Sequence, residues 1–149
     1  MNILAENKKA YFNYQIADKF EAGIALQGQE VKSLKTRGIS LAGSYVVIRN
    51  GELFWVGATI PPYQPKNAPA DYEAERSRKL LLTKIEIKSL LGKAKEKGLT
   101  LIPLRVYTKN AKIKLEFGVA KGKKKADKRE TIRKREVQKD IERELKSRG

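Results

Sequence analysis

The clearest alternation in the chain places Ile113, Leu115, Phe117 and Val119 on one side of a segment and Lys112, Lys114 and Glu116 on the other. That period of two predicts a strand with one face in a core and a charged face outward. Residues 100–107 are apolar and β-branched, and they predict its antiparallel neighbour across Lys109-Asn110. A second hairpin is signalled by Asn50-Gly51 between 44–49 and 52–60, because a type I′ turn needs φ > 0 at both central residues. Residues 11–26 carry Tyr14/Ile16 and Ile24/Leu26 at period two and predict one or two short strands, with Gly23 and Gly28 free to bend. The pattern turns helical at Thr83. Thr83 and Glu86 form a capping box, Leu82 and Ile87 suit a hydrophobic staple, and Ile87, Leu90, Leu91 and Ala94 recur at helical spacing before Gly98. Val31 and Leu34 predict a shorter helix over 30–35 that stops before Gly38, and the prolines of 61–69 predict an exposed loop.

Many short strands with one well-capped helix predict a mainly β protein, a small antiparallel barrel of the oligonucleotide-binding type with short flanking helices. The apolar pattern thins after residue 120, which divides the chain into a body, 1–120, and a basic tail, 121–149. Ile132, Val137, Ile141 and Leu145 form a narrow stripe there, with Glu130–Lys134 and Glu142–Lys146 in the favourable i, i+4 order. One stripe cannot define a core, and an isolated helix of that length is marginal in water. The tail is therefore expected to be disordered when free and helical when bound.

Charge changes the picture from fold to partners. The 149 residues carry 33 Lys+Arg against 17 Asp+Glu, a net +16, and residues 121–149 hold 13 basic and 6 acidic side chains. Such an excess attracts polyphosphates, and here it points to RNA. The absence of cysteine and histidine removes disulfides, thiol nucleophiles, the commonest general base and the commonest metal ligand. Aspartate occurs only at positions 18, 71, 127 and 140, too scattered for a magnesium-dependent RNA-processing centre. No catalytic residue, metal site or cofactor is expected. No apolar run reaches the length of a signal peptide or a membrane span, so the expected location is the cytoplasm.

Gly118–Lys124 has a superficial likeness to a phosphate-binding loop, but it has three residues between its glycines rather than four and Lys124 in place of the hydroxyl. It reads better as a flexible basic hinge on RNA phosphates. Lys112 and Lys114 share a strand face close in sequence to the 121–125 cluster, a placement suited to tracking a backbone. Lys93, Lys95 and Lys97 read as a solvated helix face. Among the aromatics, Tyr11, Tyr14, Tyr45, Phe54 and Trp55 are candidate stacking platforms, although Phe54 and Trp55 must point oppositely and one of them is core. Glu73 and Glu75 are explained by pairing with the adjacent Arg76 and Arg78.

Five strings in register go further: Asn7–Ala10, Glu21–Gly28, Glu30–Leu34, Arg76–Leu82, and Gly118–Lys124 with Asp127-Lys128-Arg129. Together they resemble the SmpB family, the transfer-messenger-RNA-binding proteins of bacterial trans-translation, over nearly the whole chain. The resemblance implies a body that binds the tRNA-like domain of that RNA in place of an anticodon arm. It also implies a tail that probes the empty mRNA channel and decoding centre of a stalled ribosome, with elongation factor Tu in the delivery complex. By the same resemblance, RNA contacts fall to Tyr14, Glu21, Tyr45, Leu81, Thr83, Lys114, Lys121, Lys123 and Lys124. Asp127, Lys128 and Arg129 open the ribosome-facing tail by that resemblance, and the stripe and charge of the tail add Ile132, Arg133, Lys134, Arg135 and Ile141. Thr83 stands where the family often has Asn or His, Ala126 where many members have a ring, and Val137 where some have Trp. The competing reading is a structural ribosomal protein, which predicts stoichiometric retention on salt-washed ribosomes.

Overall fold

In the computed structural model, residues 1–96 and 98–148 are described, apart from the side chains of 125–127, 131, 147 and 148. The strands are β1 (Asn2–Glu6), β2 (Tyr14–Ile24), β3 (Tyr45–Arg49), β4 (Glu52–Val56), β5 (Arg78–Leu81), β6 (Leu99–Lys109) and β7 (Lys112–Gly122). The helices are α1 (Lys8–Asn13), α2 (Gly28–Arg37), α3 (Lys84–Ala94) and α4 (Lys125–Arg148). All pairings are antiparallel, in the order β1-β6-β3-β4-β5-β2-β7, and β6 also pairs with β7 from Leu99↔Lys121 to Lys109↔Lys112. That last ladder closes the sheet into the expected barrel. β1 adds along the second half of β6, from Asn2↔Thr108 to Glu6↔Arg105.

Local chemistry explains the ends of the elements. Asn50 and Gly51 both take positive φ, 51° and 75°, and the β3–β4 register runs symmetrically from Arg49↔Glu52 to Tyr45↔Val56. The β6–β7 turn falls one residue later than expected, at Asn110-Ala111, where both φ values are positive. α3 has the expected capping box: Thr83 accepts from the Glu86 N–H, and the Glu86 carboxylate accepts from the Thr83 N–H. Gly98 takes φ 85°, but the helix ends at Ala94. α2 is longer than expected because Gln27 and Glu30 form a second capping box, which makes Gly28 helical rather than a bend. Tyr11 lies in α1, not in a strand, and β2 is one continuous strand.

The barrel interior is filled by Leu53, Trp55, Leu80, Leu90, Val106, Leu115 and Phe117, with the Phe20 ring stacked on Phe117 at 5.8 Å. Trp55 is fully buried and Phe54 half-buried, so Trp55 is the core member of that pair. A smaller cluster of Ala10, Ile102, Leu104 and Ala120 lies beneath α1. Both faces of central β6 are thereby covered, which accounts for its run of buried residues.

Two charge assignments change. Arg76 and Arg78 do not pair with Glu73 or Glu75; both reach Glu30 of α2, at 2.5 Å and 2.7 Å. Arg78 and Glu30 are fully buried, and Arg78 also donates to the carbonyls of Ala58 and Ala74. Burial pushes the Glu30 carboxyl up, but the Gln27 N–H and the two guanidinium groups outweigh it and hold the carboxyl below the usual carboxylate range. Lys93 is not simply solvated either. Its ammonium lies 2.6 Å from Asp18 and over the Phe20 ring, docking α3 on β2; Lys97 falls outside the described residues. Among the described residues, no helix is long and apolar enough to cross a membrane.

Candidate nucleic-acid interface

A notch on the barrel surface is set by register. Gly23 of β2 lies opposite Leu81 of β5 on one side and Lys114 of β7 on the other. A Cβ at Gly23 would come within 3.4 Å of the Leu81 Cβ and 3.7 Å of the Lys114 Nζ, so glycine keeps the space between them open. Leu80 points into the core and is 2 % exposed, which forces its neighbour Leu81 outward, 54 % exposed. Leu26, Val31 and Lys112 are also among the lining residues.

Glu21 precedes Gly23 by two residues on the same face of β2. Its carboxylate accepts from the buried Tyr107 hydroxyl, and the Lys109 ammonium stands 3.4 Å away. The Tyr107 hydrogen bond, opposed by partial burial and helped by Lys109 and Lys114, holds the Glu21 carboxyl below its ordinary value. Burial and the Glu21 carboxylate push the Tyr107 hydroxyl up, so it remains a donor. Glu116 lies directly opposite Glu21, a like-charge pair that Arg105 relieves through two bonds of 3.1 Å and 3.0 Å to Glu116. Thr83 follows Leu81 closely, but its hydroxyl is engaged with Glu86 as the cap of α3.

The other body candidates gather elsewhere. Tyr14 and Tyr45 line a second cleft with Asn7, Lys9, Asn13 and Gly43. Lys121 pairs with Gln15, next to Tyr14, and Lys123 donates its N–H to Asn13 and its ammonium to the Tyr11 carbonyl, both at 2.9 Å. Lys124 is exposed. Tyr14 and Glu21 are seven residues apart on β2, about 23 Å at the usual rise. Lys112 and Lys114 therefore sit at the opposite end of β7 from Lys121, not in one patch with it. β7 also continues through Gly122, so most of the expected hinge is strand. Gly118 is buried there, and a Cβ on it would lie 2.6 Å from Ile16 Cγ2, so the position has room for glycine alone.

The sequence pattern of the SmpB protein family matches residues 4–147. The chain belongs to the SmpB family. It is similar to the SsrA-binding proteins of Magnetococcus marinus, at 51 % identity over 97 % of this chain and 96 % of the relative, and of Carboxydothermus hydrogenoformans, at 49 % over 98 % and 97 %. It is also similar to a chain in the solved structure described as "tmRNA-SmpB: a journey to the center of the bacterial ribosome". That likeness has a TM-score of 0.66 and 42 % identity, covering 86 % of this chain and 93 % of that one.

In this SmpB-family chain Lys128, Arg129, Ile132, Arg133, Lys134, Arg135 and Ile141 all lie on α4, while the side chain of Asp127 falls outside the description. Ile132, Val137, Ile141 and Leu145 are exposed, and Glu130 and Lys134 stand 3.6 Å apart. The Arg135 guanidinium sits over the Phe12 ring at 5.6 Å, so α4 touches α1. Sequence reasoning missed Phe12, Tyr107 and Lys109, whose relevance comes only from partners far along the chain. No group of acidic residues among the described residues is arranged to hold a metal ion.

Proposed function

We propose that this protein binds transfer-messenger RNA and supports its action on stalled ribosomes in trans-translation, without itself catalysing a reaction. Membership of the SmpB family, whose relatives are SsrA-binding proteins, supports the reading. The observation that carries it on this chain is the notch: an exposed apolar plate at Leu81 and a cation at Lys114 flank the space kept by Gly23, and the ionised acceptor Glu21 stands two residues before Gly23 on the same strand. Those three chemistries suit an unpaired nucleotide. Leu81 packs on a base face, Glu21 accepts from an amino or imino edge, and Lys114 neutralises phosphate. Thr83 borders this contact as the α3 cap. Tyr14, Tyr45, Lys121, Lys123 and Lys124 form a second RNA-facing surface, about 23 Å away along β2.

In this reading residues 1–120 hold the RNA in place of an anticodon arm, and 121–149 engage the decoding centre and empty mRNA channel through Asp127, Lys128, Arg129, Ile132, Arg133, Lys134, Arg135 and Ile141. The tail, expected to be helical only when bound, is already helical as α4 in the isolated chain; its 131–146 stretch spans about 24 Å, enough to extend along a channel. Delivery involves elongation factor Tu, and the work is cytoplasmic. The test is reconstituted translation on a message without a stop codon. Deletion after Arg129, or proline at both Ile132 and Ile141, is expected to abolish peptide tagging while leaving RNA affinity nearly unchanged, since each proline costs about 3 kcal/mol inside a helix. Normal tagging by the double-proline protein would overturn the helical-probe mechanism.

A further inference from the structure

We infer that Tyr107 is a positioning residue for RNA recognition: its buried hydroxyl, with the Lys109 ammonium beside it, sets the Glu21 carboxylate in the orientation that receives the nucleotide. The inference rests on the reading of Glu21 as an RNA contact and extends it to the groups that hold Glu21 in place. Glu21 is surface-exposed, and its side chain would otherwise sample many rotamers. Tyr107 cannot move in the same way. Its ring is 2 % exposed, its strand position is locked opposite Lys114, and the Arg105 guanidinium packs over its ring at 5.3 Å.

The Tyr107 hydroxyl donates to Glu21 Oε2, while Lys109 Nζ lies 3.4 Å from Oε1 and 3.5 Å from Oε2. A carboxylate has about four acceptor positions, so these three contacts orient the group and still leave about one position, on Oε1, for a nucleotide donor. The same geometry predicts what the site prefers. An acceptor-only group fixed in this way favours a base edge bearing N–H donors and disfavours an edge of acceptors alone. Protonation converts one oxygen of Glu21 into a donor, so binding should weaken as pH falls through the Glu21 titration. The groups facing Glu21 are Tyr107 and Lys109 from β6, and Lys114 and Glu116 from β7, the last paired with Arg105. With the hydroxyl removed, the carboxyl rises toward its ordinary value and the acid loss of binding moves to higher pH.

The test measures equilibrium binding of the full chain to transfer-messenger RNA across pH at constant salt, for wild type, Tyr107→Phe, Lys109→Met and Glu21→Gln. Tyr107→Phe is expected to bind about threefold to tenfold more weakly at neutral pH, the effect of leaving one rotamer-rich side chain to be ordered on binding. Its acid limb should move upward, whereas Glu21→Gln should bind weakly with no such limb. Lys109→Met alters a half-exposed side chain, so it leaves the fold intact, and its limb should move in the same direction. A purely structural role for Tyr107 would lower melting temperature without moving the limb. Unshifted limbs in both positioning variants, with Glu21→Gln still impaired, overturn the inference alone. Unchanged binding by Glu21→Gln overturns the contact at Glu21 and the inference with it.

Discussion

Removing the Glu30 carboxylate should damage the barrel far more than removing any surface charge. Glu30 accepts from Arg76 at 2.5 Å, Arg78 at 2.7 Å and the Gln27 N–H at 2.9 Å. Arg76 is partly exposed and can recover water in a Glu30→Ala variant. Arg78 is fully buried and would keep only the carbonyls of Ala58 and Ala74, with no counterion. Breaking a buried pair from one side costs about 3–5 kcal/mol, a large share of the roughly 5–15 kcal/mol that holds a typical domain together. Urea unfolding measures the loss, and the single tryptophan, Trp55, is a suitable probe because Arg78 packs against its ring. Replacing both partners, with Glu30→Met and Arg78→Met, should recover much of the stability, since no fully buried charge is left without its partner and Arg76 can reach water. The folded protein holds the Glu30 carboxyl below its unfolded value, so its contribution is present above the unfolded pKa and lost as pH falls through the folded one. Wild type and Glu30→Ala should therefore converge in stability on acidification. A loss under about 1 kcal/mol at neutral pH, or a double variant as unstable as the single, would refute this account.

Three further outcomes are expected. Leu81→Asp should melt within a few degrees of wild type, because Leu81 is 54 % exposed, yet bind RNA at least about tenfold more weakly; a folded variant with normal affinity would remove Leu81 from the interface. Replacing Lys123 and Lys124 together by alanine should flatten the dependence of log K on log salt by roughly one to two units, each phosphate contact contributing about 0.7–0.9; an unchanged slope would show that neither touches phosphate. Gly118→Ala should cost about 1–3 kcal/mol in urea unfolding, because its Cβ would lie 2.6 Å from Ile16 Cγ2, and Ile16→Ala in the same chain should relieve the clash; an undiminished midpoint in the single variant would show that β2 shifts freely there.

What the sequence displayed well was local. The Asn50-Gly51 turn, the Thr83–Glu86 capping box and the alternation over 113–119 each depend on residues within a few positions of one another, and each appears in the structure. Tyr11 shows the same limit in reverse. Its β propensity and its neighbour Tyr14 suggest a strand, but Ala10 packs against Ile102 and Leu104, and burying that residue under β6 favours one turn of helix over an earlier strand start. The length of α2 depended on Gln27 acting as a cap, a role more often taken by Ser, Thr, Asp or Asn.

The candidate interface can be listed from the sequence but not arranged from it, and charge is where the difference arises. A basic residue beside an acidic one in sequence suggests a surface pair, which matches Arg76 and Arg78 with Glu73 and Glu75. The structure instead supplies Glu30 from 48 residues before Arg78, and that distant carboxylate is what permits a guanidinium inside the barrel. Tyr107 repeats the lesson: within its own strand it is one more apolar position, and it becomes a donor to Glu21 only because barrel closure brings together groups 86 residues apart. Lys112 and Lys121 err in the opposite direction. They are close in the chain and share a sign, yet an extended strand carries nine residues over about 30 Å, which places them in separate surroundings. Proximity in sequence thus overstated one cluster and concealed two others. Strand register recovers two of the three, because Glu21↔Glu116, Gln15↔Lys121 and Tyr107↔Lys114 are consequences of pairing rather than of composition, whereas the Glu30–Arg78 pair depends on where α2 packs.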